Sequence, residues 1–513
     1  MKRREWLLAA LGVILVALGA GMVWVSHGAS RDLVLSEACH TPLRVLEPPT
    51  GRPTGSAVVF HGLSANRHLM QTTGQWLSAL GLRIFLLDFP GHGDSTDPFT
   101  YAHAEQCAAR LLDELAERGE INPDQTILVG HSLGAVISMR MADRLPTAAT
   151  IAISPPPMLP IAPRLPGSPN FTLPRRMPVN LLVLVGGWEP SFAHLADQAL
   201  LRAAGGERLE AEDFDERRAA KLAVIPRATH TSLVFDPRVK GWMVDWTRRA
   251  LHLSTVESQP LGSPVLGSTL GFVGLALLFP LATSALTASP RVRARESEVT
   301  SPPGFLRLVV LWVLASLFSV LLLRYWEPLR FLRMMTGAYL ASFLLLVGAL
   351  LLILQPRREK ATLRLDLGPM AVAAMLGLLT VLTVGAWLNW QLIDAWMNLP
   401  RWLRFFPLVL AFLPYSAVEE IALGPAGARS RPARLGLFLL LRALLWLMLM
   451  FGLYALDSRQ ILILLLSVYL ALLAILQRWA IDAVGRRTGS PGAAVLFGAI
   501  LNAWFVAAVF PLT

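Results

Sequence analysis

The sequence predicts two unlike halves: an α/β domain whose mostly parallel sheet is covered by helices on both faces, and an α-helical transmembrane domain. Three observations carry the prediction. The 513-residue chain is 54 % hydrophobic and only 16 % charged, more apolar than a soluble protein of ordinary composition. All ten histidines lie before residue 253, inside a stretch of normal polar mixture running from 26 to 260. From 265 to 513 long apolar runs alternate with short basic loops, as repeated bilayer crossings require.

Taken in order, residues 1–5 form a basic N-terminus with Lys2, Arg3 and Arg4, and Trp6 to Val25 contains no charge. That stretch is long enough to span a membrane and is read as an uncleaved anchor, with a signal peptide as the alternative. Leu33 to Leu46 reads as a hairpin, Ala57 to Phe60 as a core strand, Arg67 to Leu80 as a helix, Arg83 to Asp88 as a strand and Ala102 to Arg118 as a helix. Further strands are expected at Ile127 to Val129, Ala149 to Ser154, Leu181 to Val185 and Leu222 to Ile225. Continuous aliphatic runs joined by helical segments imply strands buried on both faces.

The run Ile127-Leu128-Val129-Gly130-His131-Ser132-Leu133-Gly134 organises this domain. It has the G-x-S-x-G form of a strand-to-helix elbow, with Ser132 as nucleophile and Gly130 and Gly134 allowing close backbone approach. Upstream, Val58-Val59-Phe60-His61-Gly62-Leu63 is a strand entering a His-Gly turn, and Leu87-Asp88-Phe89-Pro90-Gly91-His92-Gly93-Asp94-Ser95 forms a second turn. With these motifs the region from 33 to 253 resembles the α/β-hydrolase superfamily, closest to its esterase, lysophospholipase and serine-aminopeptidase-like branches. The resemblance implies an oxyanion hole built from the backbone N–H groups of Leu63 and Leu133. It leaves Asp88 and His92 structural, and His61 and His131 supporting.

A triad needs an acid and then a histidine after the serine. Leu181 to Val185 runs into Gly186-Gly187-Trp188-Glu189, which resembles the turn that carries the triad acid, with Glu189 in place of the commoner Asp. Asp197 and Asp213 are the alternative acids. His230 follows the last strand in Ala228-Thr229-His230 and is the expected base. The proline-rich segment 155–178 is too short for a large helical lid and is either an apolar flap or a stiff loop. Cys39 and Cys107 either form a disulfide or remain buried thiols.

The remaining spans are expected at 265–286, 305–323, 338–355, 370–389, 405–423, 436–456, 461–477 and 493–511, which with the anchor makes about nine. If the N-terminus is cytoplasmic, the inner loops hold Arg291, Arg293, Arg295, Arg357, Arg358, Lys360, Arg364, Arg429, Arg431 and Arg434. Arg478, Arg486 and Arg487 are also inner. The outer loops are poorer in Arg, so the positive-inside rule puts the domain at 26–260 outside the cytoplasm. The net charge of +11 is accounted for by these loops and by lipid headgroups rather than nucleic acid. Glu419 and Glu420, Arg442 and Asn502 interrupt apolar runs; a Glu420–Arg442 pair of structural kind is expected.

The whole reads as a membrane-anchored serine hydrolase of carboxylic esters, with lipid or amphiphilic esters and membrane lipids as partners. No cofactor or metal is expected, and oligomeric state is left open. Ser26 to Asp32 reaches only about 20–25 Å when extended, which keeps the domain near the bilayer. The alternatives are a peptidase or acyltransferase on the same residues, or a transporter-like membrane protein with the hydrolase as sensor.

Overall fold

The computed structural model describes residues 3–27, 29–35, 39–49, 51–160, 169–189, 197–198, 200, 213–254, 264–288, 304–356, 366–390, 393, 395–424 and 430–513. Part of the cap (161–168), the second tether (255–263) and the basic loops at 289–303, 357–365 and 425–429 lie outside the described residues, as does Lys2. Contacts divide the chain into two compact units. One comprises Met1–Ala17, Leu270–Trp387 and Ala395–Phe510, the other Leu18–Thr269, Leu388–Asp394 and Pro511–Thr513.

The second unit is built on an eight-stranded sheet. Its strands are β1 (Ser30–Leu35), β2 (Thr41–Leu46), β3 (Gly55–Phe60), β4 (Leu82–Leu87), β5 (Thr126–His131), β6 (Ala149–Ile153), β9 (Leu181–Gly186) and β10 (Ala220–Ile225). They lie in the order β1-β2-β4-β3-β5-β6-β9-β10, and only the β1/β2 and β2/β4 pairs are antiparallel. Every residue of β5, β6 and β9 is buried, as their unbroken aliphatic runs require. On one face Val59, Ile127, Val129 and Ile151 pack with Trp76 of α2 (Gln71–Ser78) and Trp246 of α5 (Pro237–Ala250). On the other, Ala152 and Val183 pack with Ala135, Val136 and Met139 of α4 (Leu133–Arg144). Thr100 caps α3 (Tyr101–Glu117) by accepting from His103 N at 3.0 Å.

Three local findings bear on the site. The expected helix from Arg67 begins only at Gln71, because Arg67 N–H and its guanidinium both turn to the carboxylate of Asp88. The cap contains no helix among its described residues; β7 (Met158–Leu159) and β8 (Phe171–Thr172) form a short parallel pair. Cys39 and Cys107 are joined by a disulfide with Cα atoms 5.6 Å apart, tying the β1–β2 hairpin turn to α3.

The other unit is helical. Among the described residues nine helices are long and apolar enough to cross a membrane. They are α1 (Arg3–His27), α6 (Pro264–Leu286), α7 (Phe305–Leu323), α8 (Gly337–Leu354), α9 (Leu367–Asn389), α10 (Leu399–Leu423), α11 (Arg431–Leu456), α13 (Ser467–Thr488) and α14 (Pro491–Val509), with a short α12 (Ile461–Leu465) between. Helices α10 and α13 differ from expectation at charged residues, and α11 begins at Arg431 rather than 436. Helix α10 starts at Leu399 rather than 405, and Arg401 folds back to donate to the carbonyl oxygens of Ala507, Ala508 and Phe510 at 2.6–3.0 Å. Helix α13 runs through Arg478 and Asp482 instead of ending at 477, since both charges are paired inside the bundle. The expected Glu420–Arg442 pair is not formed. Arg442 meets Glu419 at 2.9 Å, whereas Glu420 is held by Arg434 at 2.9 Å and Arg478 at 2.5 Å. Arg442 lies eight residues, about two turns, beyond Arg434 on α11, and it stacks on Tyr415 and Phe438.

Candidate functional site

Residue 132 follows β5 and caps α4 with φ 55 and ψ −116, a backbone that a residue with a Cβ adopts only under strain. The chain can turn this sharply because it has glycines on either side. A Cβ at Gly130 would collide with the carbonyl of Gly134, and one at Gly134 with the carbonyl of Phe60. Ser132 N–H donates to Ile153 O at 2.8 Å, which pins the elbow to the end of β6. The serine is 9 % exposed and stands at the N-terminus of α4, where the helix dipole favours negative charge.

The turn after β3 lies directly against this elbow. A Cβ on Gly62 would stand 3.1 Å from Ser132 Cβ and 2.9 Å from His131 Nδ1, so only glycine fits between them. Among the described residues neither Leu63 N–H nor Leu133 N–H has a protein acceptor. His61 is enclosed and its tautomer is fixed: Nδ1–H donates to Gly62 O at 2.7 Å and Nε2 accepts from Phe89 N at 3.0 Å. Burial holds its pKa below the ordinary value. Asp88 is likewise a structural hub, bound by Arg67 and by the N–H of Asp94 at 3.1 Å, and a Cβ at Gly93 would strike it. His92 donates from Nδ1 to Pro90 O at 2.9 Å and accepts from Ser64 N at 3.2 Å.

The ends of β9 and β10 bring the other residues in. Glu189 Oε1 accepts from Gly186 N at 2.8 Å, and Oε2 lies 3.2 Å from His230 Nδ1. Burial raises the Glu189 pKa, but hydrogen bonds to His230, Ser154 and Gly186, with the charge of His230, outweigh it and leave the group below its usual range. His230 is held to the elbow by His131, whose Nε2–H donates to His230 O at 2.8 Å. Burial, followed by repulsion from His230, lowers His131 to about 3, so it is neutral throughout the physiological range. Ser132 Oγ itself makes no hydrogen bond to His230 among the described residues, an open arrangement common where no substrate is bound.

The alternative acids fall elsewhere. Asp197 is buried without a bond to His230, and burial plus the charge of Glu189 push it up to about 8. A carboxyl that is neutral at pH 7 is a poor partner for an imidazolium. Asp213 accepts from Glu216 N at 3.0 Å in a surface turn. One residue escaped the sequence reading. Ser154, at the end of β6, contacts both Glu189 and His230. The candidate metal donors Cys39, His103 and Cys107 cluster elsewhere, with the two sulfurs bonded to each other.

Residues 57–262 match the model of the alpha/beta hydrolase family, and this part of the chain is an α/β-hydrolase domain. Two uncharacterized proteins of Mycobacterium tuberculosis are each 26 % identical over 223 residues, spanning 41 % of this chain and 75 % of the relative. A lidless α/β serine hydrolase of Xanthomonas campestris is 20 % identical with a TM-score of 0.36, covering 44 % of this chain and 96 % of that one. An esterase/lipase from an uncultured bacterium is 17 % identical with a TM-score of 0.34, covering 48 % and 98 %. Residues 57–262 thus carry the α/β-hydrolase fold, and among the described residues the chain also has nine helices long and apolar enough to cross a membrane.

Proposed function

We propose that the domain is a serine hydrolase that cleaves carboxylic esters, with Ser132, His230 and Glu189 as its triad. The observation that carries this reading is a strained Ser132 at the β5–α4 elbow whose neighbour His131 holds His230, itself 3.2 Å from Glu189, in the chain order serine, acid, histidine. Ser132 Oγ attacks the ester carbonyl while its proton passes to Nε2 of His230. The oxyanion that forms is met by the N–H groups of Leu63 and Leu133. His230 then gives the proton to the departing alkoxide, leaving an acyl group on Ser132. Water attacks that acyl group, His230 takes its proton, and the acid and free serine are released.

Lipid or amphiphilic esters at the outer membrane face are the substrates this reading favours. Helix α1 ends at His27 and β1 begins at Ser30, a shorter link than the sequence suggested. Ser26, in the last turn of α1, falls in the same compact unit as the sheet and accepts from Gln75 of α2. The outer location rests on the distribution of arginines among the loops. Leu512 exchanges hydrogen bonds with Gly91 and Phe99 at 3.0 and 2.7 Å.

A fluorophosphonate probe should label the wild-type protein in membranes and fail to label Ser132→Ala. An unlabelled wild type, or an equally labelled variant, overturns the triad. Hydrolysis of an ester panel of graded chain length then tests the substrate class.

A further inference from the structure

β6 and β9 are parallel neighbours, with Ile153 opposite Leu184, so the residues that follow them emerge side by side. Ser154 is the first residue past β6. It is 1 % exposed, its backbone is left-handed at φ 48, and its N–H donates to Leu184 O at 2.7 Å. A serine is held in that strained conformation only where its surroundings fix it. What it meets there is the acid and the histidine together. Its hydroxyl donates to Glu189 Oε2 at 2.6 Å, and its oxygen lies 2.7 Å from His230 Nδ1. The direct Glu189–His230 separation is longer, at 3.2 Å. An ionised Glu189 can only accept, so Nδ1 carries the hydrogen and the hydroxyl is its nearer acceptor.

We propose that Ser154 is a positioning residue of the hydrolase, bridging Glu189 and His230 so that the imidazole keeps its hydrogen on Nδ1 and presents Nε2 to Ser132. The proposal rests on the triad reading given above. The hydroxyl donates to the carboxylate and accepts from the imidazole in one chain, and such chains polarise each bond in the direction the reaction needs. The bridge therefore acts through Glu189: with the carboxylate gone, the hydroxyl has nothing to relay.

The test uses the full-length protein in detergent, with p-nitrophenyl butyrate as probe. Ser154→Ala and Ser154→Gly are made alone and in the Glu189→Ala background. Glycine accepts a positive φ without strain, so it reports loss of the hydroxyl even where alanine disturbs the turn. In the wild-type background each substitution should lower kcat on the order of 10- to 100-fold with KM nearly unchanged, as misplacement of a catalytic group does. In the Glu189→Ala background the same substitution should change kcat by less than about twofold, the non-additivity of residues that act as a unit. Equal losses in both backgrounds would reveal a purely structural serine and overturn the proposal, as would an unchanged kcat in Ser154→Gly. Ser132→Ala separates the two readings. Hydrolysis that survives it refutes the triad, whereas hydrolysis lost there but intact in Ser154→Gly refutes only the role of Ser154.

Discussion

The sheet domain and the helical domain enclose opposite kinds of residue. In the first, Val58, Ile127, Ile151 and Leu182 are fully buried, and ion pairs such as Arg144–Asp113 stand in water. In the second, Leu306 and Ile353 are each 74 % exposed, while Arg478 and Glu419 are 2 % and 3 % exposed. One physical rule produces both patterns. Water expels apolar surface, so the sheet domain hides its aliphatic residues. Lipid does not, so helices that face lipid with leucine need other means to associate, and polar contacts between them supply one. The difference teaches that an arginine has no fixed meaning in this chain. Its role depends on whether its surroundings can solvate it.

The largest expected effect comes from opening the buried cluster. Arg478 reaches Glu420 at 2.5 Å and Glu419 at 3.6 Å, so its loss leaves two carboxylates short of a cation. Arg478→Ala should destabilise the helical domain by about 3–5 kcal/mol, the cost of an uncompensated buried charge. Thermal unfolding in detergent would detect it. A variant as stable as wild type would break the comparison, because the cluster would then have solvent access.

A smaller effect separates paired from unpaired buried carboxyls. Among the described residues Asp197 has no cation beside it, and burial with the charge of Glu189 raises it from 3.8 to about 8. Between those values the folded state holds a proton that the unfolded chain has already released. Its stabilising contribution is therefore complete below about pH 4 and is lost as pH rises towards 8. One proton corresponds to about 1.4 kcal/mol per pH unit, so the domain should lose roughly 2 kcal/mol between pH 6 and 7.5. Asp197→Asn should flatten that slope in pH-dependent thermal unfolding. An unchanged slope would show that Asp197 is ionised and solvated in the fold.

How much of this could be read from the sequence depended on how local each signal was. The elbow at Ser132 was legible because a strand, two glycines and a helix follow one another in the chain. The hairpin and most spans were legible for the same reason. Ser154 was not, because its importance arises from β6 and β9 lying side by side, and 35 residues separate it from Glu189. The partners of Glu420 were hidden in the same way: Arg434 and Arg478 come from two other helices. Hydropathy also ended the span at 477 too early, since it counts Arg478 and Asp482 as water-seeking when each satisfies the other.

The smallest expected effect uses the same chemistry as the largest. Arg144 at the end of α4 pairs with Asp113 of α3, and the two side chains are 56 % and 41 % exposed. Water solvates both ions whether or not they meet, and holding two long side chains together costs rotamer entropy. Arg144→Ala should therefore cost less than about 1 kcal/mol, and added salt should shrink even that. Chemical denaturation of the full-length protein, followed by a probe in the sheet domain, measures it beside Arg478→Ala. Similar losses for the two arginines would mean that burial does not set their value. A several-fold gap would tie the worth of an Arg–carboxylate pair in this chain to its surroundings.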